Sequence, residues 1–317
     1  MKWKVLVSAP YMQQEIDRFR HIFDQHDIEI VIPPVKERLS EEELLIWISD
    51  IDGVIAGDDR FTENVLKTAS QLKVLSKWGT GIDSFDLEAC RRLGIAVFNT
   101  PNAFSEPVAD SVFSYMLNFA RRTPWMDKEM KLGKWNKMPG KTLHECTLGV
   151  IGVGNVGRAV VKRALGFGMK IIGNDIIEMP QEFLDETGMI MVSRDELLHK
   201  ADFVSLHCDL NSSSRHLMND AAFDMMPPHA CLINTARGSI VDEAALVRAL
   251  QLGKIAGAGL DVFEVEPLPL DSPLIQMDNV LLAPHNSNSS PAAWERVHIS
   301  TLQNLISGLL ELEGRYL

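Results

Sequence analysis

The stretch Thr147-Leu-Gly-Val-Ile-Gly152-Val-Gly154-Asn155-Val156-Gly157-Arg-Ala-Val-Val161 constrains the fold more than any other part of the chain. A short apolar run, three glycines at G-x-G-x-x-G spacing and an alanine- and valine-rich segment read as strand, tight turn and helix. Gly152 permits the sharp turn, Gly154 lets a pyrophosphate approach the backbone, and Gly157 lets helix and strand pack closely. The free amides of the helix N-terminus then face the phosphates. A second apolar run, Met169 to Asp175, ends in a carboxylate eighteen positions after Gly157. An acid there accepts hydrogen bonds from the adenosine ribose hydroxyls and repels a 2′-phosphate, and Ile176 and Ile177 offer that phosphate no cation. The pattern favours NAD over NADP. A bare glycine-rich turn beside an ordinary strand-end aspartate is the plainer alternative, and it lacks the strand-turn-helix-strand context.

At 317 residues the chain accommodates two domains of ordinary size. Its 31 basic and 43 acidic residues give a formal charge of −12, which attracts neither nucleic acid nor an anionic membrane, so an anionic substrate must be held by local groups. The cysteines at 90, 146, 208 and 231 lack C-x-x-C spacing and suggest neither a zinc site nor a disulfide framework; no metal is expected. The apolar run near the N-terminus is too short for a signal peptide, and eighteen consecutive apolar residues occur nowhere. A cytoplasmic protein is the expectation.

Strand-like runs at residues 5–8, 28–32, 53–56, 74–77 and 96–99 alternate with helical patterns at 13–24, 40–48, 62–70 and 86–93. A long helical pattern, 105–121, leads into a connector, 123–141, with two tryptophans, two prolines and two glycines. That connector either lies on a partner subunit or packs internally. A second alternating series follows, with six strands expected at 148–153, 170–174, 203–206, 231–234, 258–262 and 280–283, and helices including 155–165, 194–200 and 242–251. Residues 291–310 form a closing amphipathic helix. The fold class is therefore α/β, two doubly wound parallel-sheet domains: a substrate domain of residues 1–100 and 288–317, and a dinucleotide-binding domain of residues 101–287.

The loop Trp78-Gly79-Thr80-Gly81-Ile82-Asp83 follows the fourth strand, at the sheet edge where open α/β folds bind ligands. Its amides are suited to a small carboxylate, although a turn needing glycine for its dihedrals alone would read the same. Late in the chain three strand ends carry polar groups: Asn234-Thr235-Ala-Arg237-Gly238, Asp261-Val-Phe-Glu264-Val-Glu266-Pro267 and Ala283-Pro-His285-Asn286. Reducing a 2-keto acid requires a cation for the carboxylate, a proton donor for the keto oxygen and a hydride source. Arg237 suits the first role, since guanidinium can engage carboxylate and keto oxygens together. His285 suits the second, and Glu266 would orient its ring and favour its charged form. Taken singly, these are also an arginine in an ion pair, a carboxylate in a turn and a capping histidine.

Together, from about Leu72 onward, they resemble the D-isomer-specific 2-hydroxyacid dehydrogenases, among which phosphoglycerate dehydrogenases are prominent. The matching segments are Lys77 to Asp83, Asn99 to Pro101, Val108 to Asp110, Leu148 to Gly157, Asn234 to Gly238, Asp261 to Pro267 and Ala283 to His285. The resemblance implies a Rossmann domain beside a flavodoxin-like substrate domain, with the substrate in a cleft between them. It also implies NAD held by Gly152, Gly154, Asn155, Val156, Gly157, Asp175, Thr235 and Asp261, the last accepting from the nicotinamide carboxamide. Arg237 would bind substrate, His285 would act as acid/base with Glu266 as its partner, and Trp78, Gly79, Thr80 and Gly81 would cradle the carboxylate. Glu264, His207, His216 and Cys208 receive no role.

The chain departs from many relatives at Asn286-Ser-Asn-Ser-Ser290, whose side chains either contact substrate or cap the closing helix, and at Asp110, where glutamate is frequent. No regulatory domain is expected after Leu317. The activity implied is NAD-dependent hydride transfer at C2 of a D-2-hydroxy acid, by a homodimer. Oxidation of D-3-phosphoglycerate in serine biosynthesis is one alternative, with Lys36, Arg60 and Lys77 as conceivable phosphate cations. An NAD(H)-sensing binding protein of the corepressor type is the other.

Overall fold

The computed structural model describes Trp3 to Leu312, and residues 1, 2 and 313–317 of the expected substrate domain lie outside the described residues. The chain divides into two compact units, Met1–Ala103 with Ser290–Leu317, and Phe104–Ser289.

The first unit is built on strands β1 (Trp3–Val7), β2 (Ile28–Val31), β3 (Gly53–Ala56), β4 (Val74–Lys77) and β5 (Ala96–Phe98), all parallel in the order β2-β1-β3-β4-β5. This is the flavodoxin-like doubly wound order. Helices α2 (Glu41–Trp47), α3 (Glu63–Thr68) and α4 (Leu87–Leu93) cover one face through Leu44, Val65, Leu66 and Ala89. Their starts are fixed by side-chain caps: Ser40 and Glu43 form a capping box, and Thr62 and Asp86 accept from the third helical amide of α3 and α4. Helices α1 (Pro10–Gln25) and α12 (Pro291–Leu312) pair on the opposite side, where Phe19 meets His298 and the ideal Cβ position of Gly53 lies against Leu305.

The second unit carries β6 (Thr147–Ile151), β7 (Lys170–Asn174), β8 (Ile190–Met191), β9 (Phe203–Leu206), β10 (Cys231–Asn234), β11 (Gly257–Leu260) and β12 (Val280–Leu282). They form one parallel sheet in the order β12-β11-β10-β9-β6-β7-β8, with the strand order reversing about β6. The sheet has seven strands where the sequence suggests six. The added β8 is two residues at an edge, too short for any periodicity to reveal it. Helices α5 (Ser105–Arg121) and α7 (Asn155–Gly166) pack on one face against Leu148, Val150, Phe203 and Ile233. On the other face α9 (Arg194–Lys200), α10 (Asp220–Met225) and α11 (Glu243–Gln251) pack against Val204, Leu206, Leu232 and Leu260.

Three short helices differ from the sequence reading. The connector opens as α6 (Thr123–Lys131), with Pro124 in its first turn and an Asp127–Lys131 pair on its surface. The sequence reading also omits α10, capped by Asn219, and α8 (Gln181–Thr187), which follows Pro180. No described helix is long and apolar enough to cross a membrane.

Candidate active site

The glycine-rich turn lies where β6 meets α7, at the carboxyl edge of the seven-stranded sheet and at its topological switch point. Gly152 takes φ +89°, and a Cβ there would stand 2.5 Å from the Cys208 nitrogen, so only glycine lets this turn pass the strand-end loop after β9. A Cβ on Gly157 would strike the Gly152 carbonyl, which explains the close fit of helix to turn. At Gly154 a Cβ would project into open space, so its absence leaves the α7 amides of Asn155 and Val156 reachable by an anion. Asp175 follows β7 and is tied to this turn: its carboxylate accepts from Val153 N at 2.6 Å and from Ile177 N at 2.9 Å. Each oxygen keeps a lone pair for a ribose hydroxyl. Thr235 Oγ1, at the end of β10, is buried without a hydrogen-bond partner among the described residues and remains open to one. A shaped turn, a fixed carboxylate and an orphaned hydroxyl on one sheet edge fit a dinucleotide.

The loops after β10, β11 and β12 carry the polar groups. Asn234 is buried at the end of β10. Its Oδ1 accepts from Ala236 N at 3.1 Å and its Nδ2 donates to Arg237 O at 2.9 Å, which shapes the loop that presents Arg237. The guanidinium donates to Ala236 O at 2.8 Å. Gly238 packs directly on the Phe263 carbonyl, where any Cβ would overlap backbone, so the Arg237 and Glu266 loops meet only because residue 238 is glycine. Glu266 accepts from Phe263 N through Oε1 at 3.0 Å, and its Oε2 lies 3.0 Å from His285 Nδ1. The expected carboxylate–imidazole pair is formed, with 19% and 25% of the two side chains exposed.

Asp261 has a holding role that the sequence reading missed. It is 1% exposed, and three consecutive amides gather on it: His285 N on its main-chain oxygen at 2.8 Å, Asn286 N on Oδ1 at 2.8 Å and Ser287 N on Oδ2 at 2.9 Å. This clamp accounts for the left-handed backbone of His285, φ +49°. Remaining lone pairs leave the carboxylate able to accept from a carboxamide as well.

Other candidates have structural partners. Glu264 Oε1 pairs with His216 Nε2 at 2.5 Å, apart from the Glu266–His285 pair. His207 Nε2 meets Ser205 Oγ at 2.8 Å, and burial pushes its imidazole down to about 3, so the ring is neutral. Burial raises the Cys208 thiol to about 11, which removes the thiolate that reactivity requires. No described cluster of His, Cys, Asp and Glu could hold a metal ion.

In the first unit, the loop after β4 presents Gly79 at φ +129°. Thr100 N donates to Gly79 O, Asn99 Nδ2 donates to Thr80 O, and Thr80 Oγ1 donates to Thr100 O, at 2.8, 2.6 and 2.9 Å. The loop's carbonyls are thus turned to residues 99–100, while among the described residues the amides of Gly79, Thr80 and Gly81 donate to no acceptor. Trp78 is placed differently from the sequence expectation. Its indole is 5% exposed, donates to His298 Nδ1 at 3.0 Å and stacks on Tyr11, so it braces the loop from within the domain. Lys77 is also withdrawn: its ammonium is buried on Gly57 O and Asp58 Oδ1, both at 2.5 Å, whereas Lys36 and Arg60 are exposed. Ser290 caps α12 through Ala293 N at 3.4 Å, which gives that end of the 286–290 segment the capping role.

A parallel sheet with a dinucleotide turn at its switch point and an arginine and a paired histidine on the same edge defines a nicotinamide-dependent oxidoreductase. Residues 113–287, more than half of the chain, match the model of the D-isomer specific 2-hydroxyacid dehydrogenase NAD binding domain. A glyoxylate reductase of Korarchaeum cryptofilum is 35% identical over 97% of this chain and 93% of its own length. A D-3-phosphoglycerate dehydrogenase of Methanocaldococcus jannaschii is 39% identical over 92% of this chain, which spans only 54% of that relative. The crystal structure of a D-lactate dehydrogenase from Aquifex aeolicus, complexed with NAD and lactic acid, superposes with a TM-score of 0.86 at 29% identity, covering 98% of this chain and 96% of that one. The chain belongs to the D-isomer-specific 2-hydroxyacid dehydrogenase family. It is an NAD-dependent oxidoreductase that transfers hydride between nicotinamide and 2-hydroxy or 2-keto acids.

Proposed function

We propose that the protein reduces 2-keto acids to D-2-hydroxy acids with NADH, using His285 as proton donor and Arg237 as substrate-binding cation. The observation that carries this reading is the 3.0 Å contact between Glu266 Oε2 and His285 Nδ1, on a histidine whose backbone is clamped by Asp261. Nδ1–H donates to the carboxylate, which fixes the tautomer and orientation of the ring and leaves Nε2 to carry the exchangeable proton. When bound, the cofactor supplies hydride to C2. His285 Nε2–H gives its proton to the keto oxygen as that oxygen becomes a hydroxyl, and in the oxidative direction takes it back. Arg237 holds the substrate carboxylate and polarises the keto oxygen. Asp175 selects NADH over NADPH by occupying the place a 2′-phosphate would need.

The deciding experiment is oxidation of NADH and of NADPH against glyoxylate, pyruvate, hydroxypyruvate and 3-phosphohydroxypyruvate, with Arg237→Ala as control. Turnover with NADH that the control loses supports the reading, and preference for NADPH would contradict the role of Asp175. A dominant 3-phosphohydroxypyruvate activity would transfer the assignment to phosphoglycerate oxidation. Tight NADH binding without any turnover would favour a sensing protein.

We further propose that the chain works as a homodimer through the segment around α6, where Met130, Leu132 and Trp135 are 50%, 64% and 81% exposed. Light scattering on Trp135→Glu should then report a monomer, and an unchanged mass would reject this interface.

A further inference from the structure

The loop that leads from β11 to Glu266 is held by side chains. Asp261, at its start, is fixed by main-chain bonds to Asn234 O at 3.0 Å and from His285 N at 2.8 Å. Among the described residues, the main chain of Val262 to Val265 makes no hydrogen bond to other main chain, so side chains must set its path. Three carboxylates and one imidazole do so, all of them within the unit Phe104–Ser289.

Two amides of this stretch donate to carboxylates: Phe263 N to Glu266 Oε1 at 3.0 Å, and Glu264 N to Glu243 Oε2 at 3.3 Å. Glu243 stands in the first turn of α11, whose start is fixed by Asp242 accepting from Ala245 N at 2.9 Å. The Glu264 side chain meets His216, with Oε1 lying 2.5 Å from Nε2. His216 is set in turn against the loop that presents Arg237. Its amide donates to Ser239 O at 2.9 Å, and Met218 N donates to Ile240 O at 3.1 Å. The loops after β9, β10 and β11 are therefore joined through Glu264.

Glu264 needs the imidazole because of its other neighbour. Burial raises the Glu243 carboxyl above its usual value, the Glu264 amide opposes that rise, and the Glu264 charge adds to it. The two carboxylates repel each other, and His216 gives Glu264 a donor that offsets the repulsion. The His216 and Glu264 side chains are 44% and 31% exposed, so their contact contributes little to stability. A weak pair at the junction of three loops, two of which present Arg237 and Glu266, serves geometry rather than folding.

We infer that His216, Glu264 and Glu243 are positioning residues: they bracket the loop after β11 so that Glu266 Oε2 keeps its 3.0 Å contact with His285 Nδ1. The inference rests on the reading of His285 as proton donor.

The test compares His216→Asn and His216→Gln in the intact protein. Asparagine tolerates the left-handed backbone of residue 216, φ +51°, but is too short to reach Glu264, whereas the glutamine amide extends as far as imidazole Nε2. In His216→Asn, kcat for keto-acid reduction should fall about fivefold with KM for NADH unchanged. A loosened carboxylate contact also disfavours the charged imidazole, so the alkaline limb of the pH–rate profile should move to lower pH. His216→Gln should restore both. Glu243→Leu should act in the same direction, and Glu243→Gln, which keeps an acceptor for Glu264 N, should not. Should His216→Asn fail to fold, the Glu243 variants carry the same comparison. A lower urea midpoint with the pH profile unmoved would make the bracket purely structural and overturn the inference.

NMR of nitrogen-15-labelled histidine reads the bracket without turnover. The His285 Nδ1–H signal, identified by its loss in His285→Gln, should shift in His216→Asn and return in His216→Gln. If His285→Gln leaves turnover intact, the proton-donor reading fails and this signal alone decides the bracket. A signal that stays in place in His216→Asn overturns the inference whatever the kinetics.

Discussion

Both sheets bury an aspartate at the carboxyl edge and use it to gather backbone amides, yet they hang different groups on that clamp. In the seven-stranded sheet, Asp261 collects the amides of residues 285–287 and so aims a histidine. In the five-stranded sheet, Asp59 is fully buried and accepts from Leu39 N at 2.6 Å, Gly57 N at 3.0 Å and Ser8 Oγ at 2.5 Å. The loops it joins carry no proton donor comparable with His285. On the same sheet edge stand the amides of residues 79–81. Proton transfer needs a titratable ring in one orientation, and a clamp on three consecutive amides provides it. Binding a small anion needs donors, and the braced glycine loop presents amides that donate to no acceptor among the described residues.

If the clamps divide the labour this way, substitutions at the two edges should fail differently. The largest effect is expected for His285→Gln, which keeps a polar side chain but cannot carry the proton: turnover should fall by roughly two to four orders of magnitude with NADH binding retained. A loss of NADH affinity matching the loss of turnover would instead make His285 a binding group. Asp261→Ala should be next. Removing the acceptor for two buried amides costs about 1–3 kcal/mol, and if that loss is felt in the aim of His285 it corresponds to about tenfold to a hundredfold in kcat. Stopped-flow measurement of the hydride step against pH would check it. A variant that loses only thermal stability would place Asp261 among the purely structural groups.

How much of this arrangement a sequence reveals depends on where the partners lie. The glycine turn was legible because its spacing is local and each glycine answers one steric demand. The same holds for caps such as Ser40, Thr62 and Asp86, whose targets lie three residues on. The brace of Asn234 on residues 236 and 237 is legible in principle, being an Asn-initiated turn whose partners lie two and three residues on. The clamp of Asp261 was not, since its amides lie 25 and 26 positions away in a loop whose path only tertiary structure decides. Nor was the inward turn of Trp78, whose acceptor His298 is 220 positions distant. Helix α6 was hidden by the tryptophans and glycines around it, although its proline start and i,i+4 ion pair are helical signals.

The smallest effect concerns the pH dependence of the clamps. Desolvation raises the Asp59 carboxyl above its usual value, against the opposing pull of its amide and hydroxyl donors and of Lys77. Below about pH 4 the group is protonated in both the folded and the unfolded chain. As pH rises, the unfolded chain releases its proton first, so the native state loses stability by at most about 1.4 kcal/mol per pH unit until the raised native value is passed. Asp59→Asn carries no proton to release and resembles the protonated acid in shape. The stability of the wild-type protein relative to Asp59→Asn should therefore be greatest below the ordinary carboxyl range, decline as pH rises through it, and then level off. Urea unfolding of both proteins across that range, followed by fluorescence, gives the difference directly, and titrations common to the two chains, including that of buried His298, cancel in it. A difference that grows with pH would mean that the amides and Lys77 outweigh burial and that Asp59 is held as a firmly ionised clamp.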